Sequence, residues 1–106
     1  MSRQIVYTNM KFEWDEEKSQ KNIAQHGFSF VIAEKLFSGQ ILERIDDRKN
    51  YGEERLIALG EIEGKILNVV FTIRNRNVYR IISIRRANKN EQKAYRTSQE
   101  RHERPD

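Results

Sequence analysis

The chain has 106 residues, of which 37% are apolar and 34% charged, with a formal net charge of +4 and no cysteine. That length bounds it to one domain around one modest core, and that composition makes much of the surface charged. Disulfides, thiolate zinc sites and cysteine nucleophiles are excluded, and no apolar run approaches the ~20 residues needed to span a bilayer.

The N-terminal "MSRQIVYTNM" lacks a long apolar stretch, so it does not read as a signal peptide, and the expected location is the cytoplasm. Residues 1–9 fit no pattern and are read as an N-terminal extension. Met10 opens a patterned stretch and is a candidate start. A single domain is expected over 10–99, followed by a tail over 100–106.

"KFEW" reads as a short strand. Asp15 is then a good N-cap, followed by Glu16 and Glu17 where a helix dipole favours acids, and the helix should run over about 15–25. His26 falls in its last turn and Gly27 at the position where left-handed geometry is cheap for glycine. Ser29 is placed to cap a second helix over about 30–37, with Ala33, Leu36 and Phe37 on one face and Phe28 stapling it from outside. A diffuse strand at 41–45 and the loop "DDRKNYG" follow. Three strands then come in succession, "EERLIALGEI", "KILNVVFTI" and "VYRIISIRR". The first two join at Glu63-Gly64, a tight hairpin signal, and the next two across "RNRN". Asn88 and Glu91 resemble a capping box that opens a last helix, fading near residue 99. The pattern predicts an α+β fold. Its antiparallel sheet is a three-strand meander with one or two further strands, packed by two N-terminal helices and accompanied by a C-terminal helix.

Charge is unevenly placed. From Arg85 to Arg104 there are seven Lys/Arg against three Glu, while the rest of the chain balances. A basic C-terminal segment suits a polyanion or an acidic partner, and equally suits a solvated helix face.

Strand arithmetic predicts a site. A two-residue turn at Glu63-Gly64 and a four-residue connection at "RNRN" fix the register, and cross-strand partners share a face. One face then carries Leu56, Ala58, Gly60, Leu67, Val69, Phe71, Ile82 and Ile84, with Arg80 as its polar exception. The other carries Arg55, Thr72 and Tyr79, then Ile57, Val70 and Ile81, then Leu59, Asn68 and Ser83, then Glu61, Ile66 and Arg85. Two arginines, hydroxyls and a tyrosine on an exposed sheet face suit a phosphodiester, because a guanidinium fork matches phosphate oxygens and tyrosine can stack on an unpaired base. The same residues could instead pack under the last helix and pair with Glu. A one-residue slip in either connection would break the assignment.

His26 at a helix C-terminus is stabilised by the dipole, which alone accounts for it, and His102 lies in the tail. Two separated histidines without cysteine supply no metal-ligand spacing, and G-x-S-x-G, P-loop and G-x-G-x-x-G motifs are absent. No metal or other cofactor is expected. The chemistry left open is that of His, Glu and Arg.

The segments "FEWDEEKSQKNIAQHGFSFVIA" (12–33), "EERLIALG" (53–60) and "YRIISIRRANKNE" (79–91), in this order and spacing, resemble the BrnT family, the toxins of BrnT/BrnA type II toxin–antitoxin systems. The resemblance covers residues 10 to about 96. Gln25 departs from it, standing where relatives often have a basic residue before His-Gly. The resemblance implies a RelE/barnase-like fold and RNA cleavage that inhibits translation. It also implies a BrnA-like antitoxin with a DNA-binding domain, a toxin–antitoxin heterotetramer, and repression of the operon with operator DNA touched only through the antitoxin. Trp14, Asp15, Lys18 and Asn22 match the family's first motif. Trp14 and Asp15 read as core anchor and cap, while Lys18, Asn22 and His26 share a helix face that could look into the site.

RNA supplies its own nucleophile, the 2′-hydroxyl. Such an enzyme needs a base for that proton, an acid for the departing 5′-oxygen, and cations on the developing phosphorane. The candidate catalytic residues are His26, Glu54, Arg55, Arg80 and Arg85, with Arg55 and Arg85 on the phosphate and Glu54 or His26 as base or acid. Lys18, Asn22, Thr72, Tyr79, Ser83 and Arg86 form the candidate RNA-binding set. The predicted register leaves Glu54 and Arg80 on the opposite face from Arg55. The alternative is a non-catalytic module that binds nucleic acid or a partner protein through the same basic face.

Overall fold

The computed structural model describes residues 10–103, and the side chains as far as Arg101. The expected extension over 1–9, the end of the expected tail and the His102 side chain lie outside the described residues. Eight elements follow in chain order: β1 (Lys11–Glu13), α1 (Glu16–His26), α2 (Ile32–Phe37), β2 (Ile41–Asp46), β3 (Arg55–Ile62), β4 (Lys65–Arg74), β5 (Val78–Arg86) and α3 (Lys89–Glu103). Among the described residues no helix is long and apolar enough to cross a membrane.

The strands form one sheet in the order β1-β5-β4-β3-β2. β2 through β5 are antiparallel neighbours, and β1 pairs with β5 in parallel. The sheet is therefore mixed, which corrects the expected antiparallel one. β1 enters beside the start of β5, where the Lys11 amide donates to the Asn77 carbonyl, and runs in the same direction.

Local chemistry sets the helix ends. Asp15 has extended backbone and accepts the Lys18 amide at 3.2 Å, and Gly27 closes α1 at φ 85° with its amide on the Ile23 carbonyl. α2 begins at Ile32 rather than near residue 30. Ser29 is spent on a tight turn instead, its hydroxyl accepting the Val31 amide and its carbonyl the Ile32 amide. Asn88 and Glu91 form the expected capping box, with reciprocal side-chain-to-amide bonds of 2.8 Å, and α3 runs on to Glu103 rather than fading near 99.

The Glu63-Gly64 turn has both residues at positive φ, as a two-residue hairpin of the right twist requires, and β3–β4 pairs in the expected register. The β4–β5 register differs. The connection has three residues rather than four, with Asn75 and Arg76 at positive φ, so Phe71 pairs with Ile81 and Thr72 with Arg80. A β-bulge then leaves Ile82 as an extra residue, and Val70 pairs with Ser83 and Asn68 with Arg85. The two shifts of one residue add to two beyond the bulge, which changes the pairs but restores the faces. Residues 79–81 are thus turned over relative to the expected faces, whereas Ser83, Ile84 and Arg85 are not.

The first sheet face carries the main core. Phe30, Ala33, Leu36 and Phe37 pack on Ala58, Leu67, Val69, Phe71, Ile81 and Ile84. Gly60 is required there, since a Cβ would lie 2.7 Å from Leu36 Cγ. The second face is covered at one end by α3, where Leu59, Ile66, Ala87 and Tyr95 form a smaller cluster flanked by Leu42 and Ile57. The other end of the second face carries a charged and polar row in which Asp46 and Thr72 are buried and Arg55 and Arg80 half-buried.

Candidate active site

That end is built by strand pairing. Asp46 pairs with Arg55, and Thr72 with Arg80 and Arg80 with Glu13; continuing the β3–β4 register one residue past Leu56–Phe71 sets Arg55 opposite Thr72 and makes these one row across β2, β3, β4, β5 and β1, and the next row reads Arg44, Ile57, Val70, Ser83. Arg55 and Arg80 flank Thr72 two strands apart, about 10 Å between backbones, within reach of one phosphate group for two arginine side chains. The three-residue connection thus brings Arg80 onto the face of Arg55, and the face conflict of the predicted register disappears for Arg80.

Each arginine has a defined support. The Arg80 guanidinium lies 3.5 Å from Glu13 Oε1, and Arg74 bridges Glu13 at 4.0 Å and Glu53 at 3.7 Å. The Arg55 guanidinium sits on the Tyr51 ring, its Cζ 4.0 Å from the centroid, and its buried Nε has no hydrogen-bond partner. Tyr51 donates its hydroxyl to Asp46 Oδ2 at 3.2 Å. Asp46, with its side chain 1% exposed, also takes a two-bond fork from Arg48 at 2.8 and 2.9 Å. Those hydrogen bonds from Arg48 hold the Asp46 carboxyl down at about 2 despite its burial.

Other predicted residues are placed elsewhere or already engaged. Tyr79 is on the first face, not the second. It stacks on Phe71 at 5.3 Å and meets Phe37 and Phe12 edge-on, and burial together with the Glu43 charge pushes its phenol pKa up. The expected base-stacking surface is thus a core ring. Asn22 is buried, corrected from a surface contact to a backbone clamp. Its Nδ2 donates to the Ile84 and Phe28 carbonyls at 2.8 Å, and its Oδ1 accepts the Ile84 amide at 3.2 Å. The polar stripe of α1 is therefore interrupted, with Lys18 and His26 exposed on either side of a buried amide. Among the described residues, His26 has no side-chain hydrogen bond or ion pair, and no contact joins it to the arginines.

Arg85 lies on the second face but under α3, forked onto Glu91 at 2.8 and 2.9 Å. Glu91 also accepts from Asn68 Nδ2 and from the Asn88 amide. Burial opposes its ionisation, but Arg85 and these amides outweigh it and keep the carboxyl below its usual range. Thr72 is buried and donates its hydroxyl to the Glu54 carbonyl at 2.7 Å, tying the approach to β3 onto β4. The Glu54 side chain is exposed, Ser83 is half-buried, and Arg86 is exposed opposite Leu67, on the other face from Arg85.

Glu13, Asp46 and Tyr51 were missed from sequence. Glu13 becomes a neighbour of Arg80 only through a parallel pairing of three residues. The available signal for the other two was a charged loop with a single tyrosine, "DDRKNY", running directly into the strand that carries Arg55.

Comparisons with known proteins bear on this arrangement. A family model described as the ribonuclease toxin BrnT of type II toxin–antitoxin systems matches residues 14–91, a span that contains every candidate residue named from sequence. Among solved structures the chain is similar to the 1.1 Å crystal structure of the Brucella abortus ribonuclease toxin, BrnT, with 34% identity, 76% of this chain and 100% of that chain covered, and a TM-score of 0.56. No curated protein matches.

Proposed function

The chain belongs to the BrnT ribonuclease toxins of type II toxin–antitoxin systems, and we propose that it cleaves RNA without a metal ion, by attack of the substrate's 2′-hydroxyl on the adjacent phosphodiester. The 2′-oxygen bonds to phosphorus as the bond from phosphorus to the 5′-oxygen breaks, leaving a 2′,3′-cyclic phosphate and a free 5′-hydroxyl. One proton leaves the 2′-hydroxyl and one reaches the 5′-oxygen. Arg55 and Arg80 take the non-bridging oxygens, whose negative charge grows in the phosphorane. Glu13 shares their face with Asp46; since Asp46 is buried and taken by Arg48 and Tyr51, Glu13 is the first candidate for the base, with Glu54 second. His26 stays in the reading only as a further proton-transfer group. Arg85 acts by holding α3 through Glu91, and Ser83 and Thr72 line the face.

The observation that carries this reading is that Arg55 and Arg80, both half-buried, flank Thr72 on one sheet face. The family adds the rest of the proposal. The toxin inhibits translation in the cytoplasm, folds as a relative of RelE-type ribonucleases, is neutralised by a BrnA-like DNA-binding antitoxin in a heterotetramer, and with it represses its own operon.

The test is cleavage of purified RNA with EDTA present. Wild type should cut, and Arg55→Ala and Arg80→Ala should each lose about 10²–10³ in rate, the usual cost of removing a preorganised charge-stabilising donor. Cleavage that EDTA abolishes would sink the metal-free mechanism. Arginine variants that cut like wild type would sink the site. A folded wild type that binds RNA without cutting it would favour the binding-module alternative.

A further inference from the structure

Beside the arginine row, a groove of about 570 Å³ runs between α3 and the edge strand β2. Three cations line it, Arg44, Lys93 and Arg101, above an apolar floor of Leu42 and Ala94, with the Thr97 hydroxyl alongside. No acidic side chain lines it, in a chain with 16 Asp and Glu. Arg44 pairs with Ile57, so it is the diagonal neighbour of Arg55 on the same face, about 7–8 Å away. The cations therefore continue the row Arg80–Arg55 through Arg44 and under α3.

We propose that this groove is a second subsite for the RNA backbone, which receives the strand beyond the scissile phosphate. The proposal rests on the ribonuclease reading for its substrate. Its physical grounds are separate: a cation track without acids, hydroxyls that can donate to phosphate oxygens, and a floor apolar enough for a sugar or base. An acidic segment of a partner protein is the competing occupant. The continuity of the groove with the arginine row favours RNA, because Arg44 is both the diagonal neighbour of Arg55 and part of the groove's lining, so one polyanion can engage both.

The experiment uses 2′-O-methyl oligoribonucleotides, which cannot be cut, so it reads the groove whether or not the protein cleaves. A dodecanucleotide and a trinucleotide are titrated into wild type and into an Arg44→Ala/Lys93→Ala/Arg101→Ala variant across a range of salt. The variant should bind the dodecanucleotide about tenfold more weakly and lose about 2 from the salt slope, near 0.7 for each phosphate contact on a single strand. The trinucleotide should lose much less. Lys93→Arg, which keeps the charge, should retain the wild-type slope. Equal losses for both lengths would overturn the subsite. So would unchanged RNA binding together with lost binding of poly-glutamate, which would give the groove to an acidic protein. Failure of wild type to cleave ordinary RNA counts against the ribonuclease reading alone.

Discussion

Arg55 lies with its guanidinium carbon 4.0 Å from the centre of the Tyr51 ring, and Tyr51 is itself tethered to Asp46 by a 3.2 Å hydrogen bond. The arginine most exposed to the role of phosphate ligand is thus held by a ring rather than by a carboxylate. A carboxylate would neutralise it; a ring orients it and leaves its charge available.

Replacing Tyr51 should therefore disturb the rate rather than the fold. Tyr51→Leu removes a cation–π contact worth about 1 kcal/mol and frees the guanidinium, so kcat should fall about tenfold. Tyr51→Phe keeps the ring and should retain most of the rate. Steady-state kinetics on a short RNA checks this: an equal loss in both variants would assign the effect to the hydroxyl and Asp46.

Asp46 should make stability depend on acid. Its carboxyl is held at about 2 in the folded chain, below its ordinary 3.8, so the folded state binds that proton less readily than the unfolded state. The contribution is complete above the unfolded value and is lost as pH falls from about 4 through about 2. Its partner Arg48 is 65% exposed, which screens the pair, so the contribution is on the order of 1 kcal/mol. Urea unfolding at neutral pH and at pH near 2 checks it. Asp46→Asn should lose that much at neutral pH and flatten this part of the profile.

Glu91 should behave as a structural node. Its carboxylate closes the capping box, forks Arg85 and satisfies Asn68, while its side chain is only 15% exposed. Glu91→Ala should cost about 2–3 kcal/mol and loosen α3, since it removes a cap and leaves a one-third exposed arginine unpaired. Glu91→Gln can still cap and should recover part of the loss. Thermal melting distinguishes the two, and equal melting points for wild type and Glu91→Ala would refute the role.

Asn22 should be as sensitive, for a different reason. Its amide replaces a strand partner for Ile84, donating to that residue's carbonyl and accepting its amide. Asn22→Ala should cost about 2–3 kcal/mol, because buried backbone groups lose their partners. Asn22→Asp should be at least as damaging at neutral pH, since a carboxylate cannot donate to two carbonyls. Faster hydrogen exchange at the Ile84 amide is the direct check.

Much of this architecture was legible because it is written locally. Asp15, Gly27, Glu63-Gly64 and the Asn88–Glu91 pair each act within a few residues, and each forms as expected. Alternation along β3 and β4 gave the core face for the same reason. What failed is non-local. A three-residue connection and the bulge at Ile82 exchange the faces of Tyr79 and Arg80, and no side-chain pattern in "VYRIISIRR" announces an extra residue, because apolar residues suit either face there. The parallel β1–β5 pairing was equally invisible: β1 is three residues long, and its partner lies more than sixty residues away. Glu13 was missed with it. Asn22 was legible as a polar residue on a helix face, but its burial depends on where β5 leaves an unpaired backbone.

That β1–β5 pairing has a consequence for how the protein is made. Glu13 is among the first described residues to leave the ribosome, yet its partner Arg80 is translated more than sixty residues later, and Ile84, which Asn22 clamps, follows on the same strand. A nascent chain that stops before β5 has no second flank for Thr72, no seat for β1 and no strand for Asn22 of α1 to clamp. Local helices and the β3–β4 hairpin can form in that fragment, but contacts of such long sequence separation must wait. A prematurely released fragment would therefore carry Arg55 without Arg80 beside it, and the row across the sheet would be completed only with β5.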